Sequence, residues 1–207
     1  MTELWIVRHG ETDWNAEGRV QGWTDIPLNG NGMRQAARLA DWLRTTPFTV
    51  ILSSDLVRAK ATAEILAAGR GVPLILDVDL RERCFGRIEG TRRDPRADAR
   101  AVIPSPQDGA ESETQVRQRA ERFLARVAAS YPHARVLCVS HGGWIRALLR
   151  SLGVTSEVSL HNTGITRLIH RDGQWQVAAI DDVRHLQDEG PVTTSKRTRP
   201  AMPAARP

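Results

Sequence analysis

Four short stretches of the chain are apolar with little or no alternation: 4-LWIV-7, 49-TVILS-53, 74-LILDV-78 and 135-RVLCVS-140. Runs of this length, bounded by polar or turn-forming residues, predict strands covered on both faces. Between them the spacing becomes helical. From Asn31 to Arg44, the residues Met33, Ala36, Ala37, Ala40 and Leu43 share one face. The segment 55-DLVRAKATAEILAAG-69 predicts a second helix, ended by its glycine. Val116, Ala120, Phe123, Leu124 and Val127 mark a third, and 143-GWIRALLRSLG-153 a fourth. Two last strands, 165-ITRLIH-170 and 174-QWQVAAI-180, flank Arg171-Asp172-Gly173, a turn signal that predicts an antiparallel hairpin. The segment 84–110 follows neither period and contains Pro95, Pro104 and Pro106, so it reads as an irregular excursion.

Strands alternating with helices predict an α/β fold. The expected architecture is a three-layer sandwich: a mostly parallel central sheet, helices on both faces, and a C-terminal antiparallel hairpin. The chain of 207 residues, 41% hydrophobic, fits a single domain over residues 1–186. Residues 187–207 are basic and rich in Pro, Thr and Ala; they offer little to bury and are expected to be a disordered tail.

Charge and cysteine content narrow the function classes. The formal net charge is +5, to which the tail contributes four basic and two acidic residues. Basic residues do not interleave with aromatics, so a nucleic-acid partner is not expected. No apolar run approaches the roughly 18 residues of a membrane span, and MTELWIVRHG lacks the features of a signal peptide. A cytoplasmic protein without a membrane partner is therefore expected, and a homodimer is left open. Two cysteines do not make a disulfide framework; Cys138 reads as a core residue. The six histidines lack metal-ligand spacing, and no metal or other cofactor is expected. The partial GxGxxG of 29-NGNGMRQA-36 follows a loop, which argues against a dinucleotide site.

The candidate chemistry lies where the strands end. Ligand sites in open α/β sheets gather at the carboxyl ends of strands. There the chain offers Arg8-His9-Gly10, then Ser53-Ser54 with Arg58 a turn later, then Arg81-Glu82-Arg83, then His141-Gly142-Gly143. Two cationic groups on the end of a buried strand need a negative partner. Arginine binds phosphate bidentately, imidazole can act as a nucleophile, and a carboxylate can carry a proton. The set suits phosphoryl transfer through a phosphohistidine. Nearby arginines would also keep a histidine neutral, because like charge disfavours its protonated form.

Four segments, 8-RHGETDWN-15, 53-SSDLVRAKATAE-64, 80-LRERCFGRIEG-90 and 139-VSHGGWIRALL-149, resemble in order the motifs of the histidine phosphatase superfamily, on its phosphoglycerate mutase-like branch. The resemblance spans roughly residues 1–186 and implies roles position by position. His9 would be the phosphorylated nucleophile. Arg8, Arg58 and His141 would form the cationic pocket around the phosphoryl group. Glu82 would protonate the leaving oxygen and later help deprotonate water. Asn15 matches a phosphate-binding asparagine, Thr12, Gln21 and Gly22 match positions near the substrate, and the Gly142 amide would donate to a phosphate oxygen. No metal is implied, and the partner would be a small phosphorylated metabolite.

Three functions remain in play. In the family that the chain resembles, mutases like the glycolytic enzyme carry a longer insertion between the acid and the second histidine, so the compact stretch between Glu82 and His141 implies a metal-independent phosphomonoesterase. A bisphosphoglycerate-dependent phosphoglycerate mutase is the alternative, since Arg92 and Arg93 could read a carboxylate or second phosphate. An inactive phospho-ligand-binding module is the third. The stretch 109-GAES-112 resembles a Gly-Glu-Ser segment of the small phosphatases, interrupted by Ala110. His133, His161 and His170 read as structural or surface residues, His185 as packing near the site, and Trp14 and Trp23 as either packing or pocket-mouth residues.

Overall fold

The computed structural model describes residues 1–92 and 106–187. The expectations for Arg93 and for the tail beyond Gln187 lie outside these residues. In chain order the elements are β1 (Thr2–Arg8), α1 (Asp13–Ala16), α2 (Gly30–Trp42), β2 (Val50–Ser53), α3 (Val57–Ala67) and β3 (Leu74–Leu76). There follow α4 (Glu113–Ser130), β4 (Arg135–Ser140), α5 (Gly142–Ser151), β5 (Ile165–Arg171) and β6 (Gln174–Asp182). The strands form one sheet in the order β3-β2-β4-β1-β5-β6. The pairings of β1 with β4, β2 with β4 and β2 with β3 are parallel; β5 pairs antiparallel with both β1 and β6. The mostly parallel sheet with a terminal hairpin is the expected one. Asp172 and Gly173 turn the hairpin with φ of 52° and 78°, the left-handed pair that suits the twist of the strands.

Successive residues on each central strand serve different cores, which is why those strands are continuously apolar. Leu4, Ile6, Val50, Leu52, Val136 and Cys138 pack on the α4–α5 face with Phe123, Trp144 and Leu148. Trp5, Val7, Ile51, Leu137 and Val139 pack on the α2–α3 face with Leu39, Leu43, Ala63 and Leu66. Helices thus cover both faces of the sheet.

Three local readings change. On α2 the buried set is Gly32, Ala36 and Leu39, continued by Leu43, whereas Met33 is 48% exposed. The helix is rotated away from the face that Met33 and Ala37 suggested, because Leu39 fills the core better. Strand β3 lies at the sheet edge, and Ile75 and Leu76 are 45% and 44% exposed rather than covered. The helix expected from Asp55 begins at Val57, whose N–H donates to Asp25 Oδ1 at 2.7 Å.

The register brings the chemistry to one rim. Arg8, the last residue of β1, pairs with Ser140, the last of β4; Ser53, the last of β2, pairs with Val139. The residues following all three strands therefore emerge side by side. No helix among the described residues is long and apolar enough to cross a membrane.

Candidate active site

A cleft of about 250 Å³ opens at this rim, lined by Arg8, His9, Asn15, Gln21, Gly22, Arg58, Glu82 and Gly142 among others. Those eight are expected site residues. His141 stands beside them with its ring centroid 5.0 Å from that of His9. Thr12 is placed differently. Its hydroxyl caps α1, accepting from Asn15 N at 3.2 Å, and its own N–H and hydroxyl donate to Asn15 Oδ1. It is wholly buried and holds Asn15 rather than lining the cleft.

His9 is 3% exposed, and its Nδ1 lies 2.7 Å from the Gly10 carbonyl oxygen. A carbonyl can only accept, so Nδ1 carries the proton and Nε2 keeps its lone pair. Burial, then the charges of Arg58 and Arg8, hold the His9 pKa well below the usual histidine range, against the pull of the Gly10 carbonyl. His141 is depressed in the same direction by burial, then Arg58, His9, Arg119 and Arg8. Its Nε2 is 2.9 Å from Ser54 Oγ. Both imidazoles are thus neutral at neutral pH.

The arginines are anchored by carbonyls. Arg8 donates through Nη1 to Leu160 O at 2.6 Å. Arg58, on the first turn of α3, is fully buried; Nη1 donates to Thr24 O at 3.0 Å and Nη2 to Gly22 O at 2.7 Å. Gly22 presents that carbonyl with φ of 56°, and a Cβ there would strike the Glu89 carboxylate. Glu89 ties the loop down by accepting from Trp23 N, Thr24 N, Thr24 Oγ1 and Phe85 N. Burial lowers the Arg58 pKa, opposed by the charges of Glu82, Asp25 and Glu89. Arg58 Nε, His141 Nδ1 and Gln21 Oε1 are buried without a hydrogen-bond partner among the described residues. Leaving such groups unmatched is costly, and an anion with several oxygens satisfies the donors Arg58 Nε and His141 Nδ1, whereas the Gln21 oxygen accepts and calls for a hydroxyl or N–H on the ligand.

Glu82 enters from the loop after β3. Its Oε1 accepts from Arg83 N at 2.8 Å and Trp144 N at 3.0 Å, and its Oε2 from Gly143 N at 3.0 Å. The carboxylate therefore sits at the N-terminus of α5, favoured by the helix dipole. A Cβ on Gly143 would collide with it. The Gly142 N–H, one residue earlier, has no partner among the described residues and remains for a ligand.

Other residues complete the cleft without having been expected. Asn162 donates through Nδ2 to His9 O at 2.9 Å and to Asn15 Oδ1 at 3.2 Å. Because Asn15 Oδ1 is taken by Asn162 and Thr12, the Asn15 amide nitrogen is the end left for the cleft. Arg19, Phe85 and Arg146 line its rim. An asparagine after β4–α5 carries no local pattern; only its position beside β1 makes it a candidate. Trp14 and Trp23 do not line the cleft. Trp23 instead donates Nε1–H to Glu82 O at 2.7 Å, under the Arg81 guanidinium. His185 packs behind the site, with Nε2 2.9 Å from Thr163 Oγ1, while Thr163 N donates to Arg8 O. Arg92 is exposed. Cys138 is buried in the core and Cys84 partly so. Among the described residues no group of three or more His, Cys, Asp or Glu is placed to hold a metal ion.

The comparisons with known proteins point the same way. The chain is 37% identical over 204 residues to the metal-independent phosphoserine phosphatase of Arabidopsis thaliana, covering 92% of this chain and 85% of that protein. It is 35% identical over 205 residues to a probable phosphoglycerate mutase, GpmB, of Salmonella arizonae, covering 90% and 95%. Among solved structures, a phosphoserine phosphatase of Entamoeba histolytica in complex with 3-phosphoglyceric acid matches with a TM-score of 0.78 at 30% identity, over 90% of this chain and all of that one. The family model of the histidine phosphatase superfamily (branch 1) matches residues 4–183. The chain belongs to the histidine phosphatase superfamily.

Proposed function

We propose that this phosphatase-type enzyme hydrolyses phosphate monoesters of small anionic metabolites, with His9 Nε2 as the nucleophile. The observation that carries the reading is the pairing of a neutral, tautomer-fixed His9 with a wholly buried Arg58 that has donors to spare. Arg8, Arg58, the Gly142 amide and the Asn15 side chain surround the phosphoryl group. A unit charge pair about 4 Å apart at an effective dielectric near 20 is worth roughly 4 kcal/mol before desolvation. Two arginines therefore stabilise the charge that builds on the equatorial oxygens during transfer.

In the first step Nε2 attacks phosphorus, the bond to the ester oxygen breaks, and Glu82 gives that oxygen its proton. In the second, Glu82 takes a proton from water as the water oxygen attacks the phosphohistidine. The Nε2–P bond breaks and inorganic phosphate leaves. His141 donates to the phosphoryl group through Nδ1, the nitrogen that has no partner among the described residues. Arg8, Arg58 and Arg146 give the cleft a cationic lining, with Arg19 beside them paired to Glu17, and that lining favours esters bearing a second anionic group such as a carboxylate. The named activities of the Arabidopsis and Entamoeba relatives support that class.

Incubating the protein and its His9→Ala variant with a panel of phosphate esters tests this. The panel includes phosphoserine and 3-phosphoglycerate, the latter with and without bisphosphoglycerate. The expected result is free phosphate from the wild type, best with carboxylate-bearing esters, and none above background from the variant. Isomerised phosphoglycerate without phosphate release would replace the phosphatase with a mutase. Ester binding without turnover would leave only a binding module.

A further inference from the structure

Residues 81–84, which carry Glu82, belong to no helix or strand, so their position has to be held from outside. The group that holds them is Arg119, on the buried face of α4. A guanidinium has five N–H donors, and all five are used. Nε and one Nη2 hydrogen grip the two carboxylate oxygens of Glu111, each at 3.0 Å. Nη1 donates to Asp79 O at 2.9 Å and to Arg81 O at 2.5 Å, and the second Nη2 hydrogen to Glu82 O at 2.8 Å. Ser140 Oγ donates to the remaining carbonyl, Leu80 O, at 2.8 Å. The carbonyls of four consecutive residues are thereby fixed. Glu111 secures the next two: Oε2 accepts from Cys84 N at 2.8 Å, its N–H donates to Cys84 O at 3.0 Å, and its carbonyl accepts from Arg83 Nε at 2.8 Å.

Arg119 is buried and Glu111 half-buried, with side-chain exposures of 7% and 17%. Stability alone is a poor reason for an ion pair taken largely out of water, since well-packed apolar residues often serve as well. What this one supplies is a fixed address for a backbone without its own secondary structure. Neither residue lines the cleft.

We propose that Arg119 and Glu111 are positioning residues that hold the Glu82 carboxyl where it can deliver its proton, and that this is the work of the 109-GAES-112 segment. The inference rests on the phosphatase reading above. It also names the atom. Oε1 already accepts two amide hydrogens and Oε2 only one, so the proton rides on the remaining lone pair of Oε2. It passes to the ester oxygen as the P–O bond breaks and the Nε2–P bond forms.

The test compares two substrates that differ in their need for that proton. An alkyl phosphate releases a strongly basic alkoxide and requires the acid; p-nitrophenyl phosphate releases a weakly basic phenolate and does not. The quantity read is kcat/KM, which reports on transfer to His9. For Arg119→Lys and Glu111→Gln, both checked for folding by thermal melting, kcat/KM is expected to fall about 10²-fold with the alkyl ester. With p-nitrophenyl phosphate it is expected to change by less than about threefold. Glu82→Gln should show the same selectivity in stronger form. Should Arg119→Lys fail to fold, Glu111→Gln carries the comparison, because it keeps the shape of the side chain. Equal losses on both esters, or none on either, would overturn the positioning role. A wild type inert toward both esters would overturn the phosphatase reading itself. A Glu82→Gln variant indifferent to the leaving group would overturn the assignment of the acid.

Discussion

At the scale of single residues, the site separates groups that carry charge from groups that must not. Arg8 and Arg58 are fixed cations, whereas His9 and His141 are kept neutral by burial and by those same arginines. The Gly10 carbonyl then decides which nitrogen of His9 is free. Asn162 belongs to the same arrangement, since its one amide nitrogen holds both the His9 carbonyl and Asn15 Oδ1. Replacing it with alanine releases the backbone of His9 and the orientation of Asn15 together. Asn162→Ala is expected to lower kcat/KM by at least about tenfold. Its cost in stability should be about 1–3 kcal/mol, the range for one buried polar group left unpaired. Steady-state kinetics and a melting curve on the same preparation check this; unchanged kinetics would remove Asn162 from the positioning set.

At the scale of elements, the sequence is most legible where a residue's partner is the core and least where it is a distant carbonyl. The strands β1, β2 and β4 are evident because both of their faces are buried. Leu39 on α2 escapes notice because Met33 and Ala37 complete an equally regular stripe, and only packing against β1 and β2 chooses between them. Strand β3 reads like the others although it lies at the edge, since strand order is a property of the sheet and not of the segment. The four-residue α1 has no apolar period; its signal is the Thr12–Asn15 capping box, which also explains why Thr12 faces inward. Of the site residues, Arg8, Arg58, His9 and His141 are legible because they end or follow strands in recognisable segments. Arg119 and Asn162 are not, because they bind the backbone carbonyls of Asp79, Arg81, Glu82 and His9, which no local spacing reveals.

At the scale of the whole molecule, neutral buried imidazoles tie stability to pH. His9 and His141 lie well below the ordinary value of 6.5, and burial takes His185 to about 4, against the raising effect of Asp182. A histidine depressed in the folded state binds its proton more readily when unfolded. Stability is therefore fully present above the unfolded value and is lost as pH falls below it. Each such group contributes a slope of up to about 1.4 kcal/mol per pH unit over that window. The depressed carboxylates Glu3, Asp55, Glu89 and Asp182 act only at lower pH, as it falls through their folded values. Melting temperature in phosphate-free buffer should accordingly fall steadily from about pH 6.5 to about pH 5. A flat profile would mean that these histidines are not held neutral in the fold.

In the proposed reaction one nitrogen, Nε2 of His9, carries the phosphoryl group between substrate and water. Mixing the enzyme with substrate, quenching in alkali and locating the acid-labile phosphate by peptide mapping and ³¹P NMR tests it most directly. Phosphate is expected on Nε2 of His9. Phosphate on Nδ1, on His141, or on no histidine while turnover proceeds would contradict it.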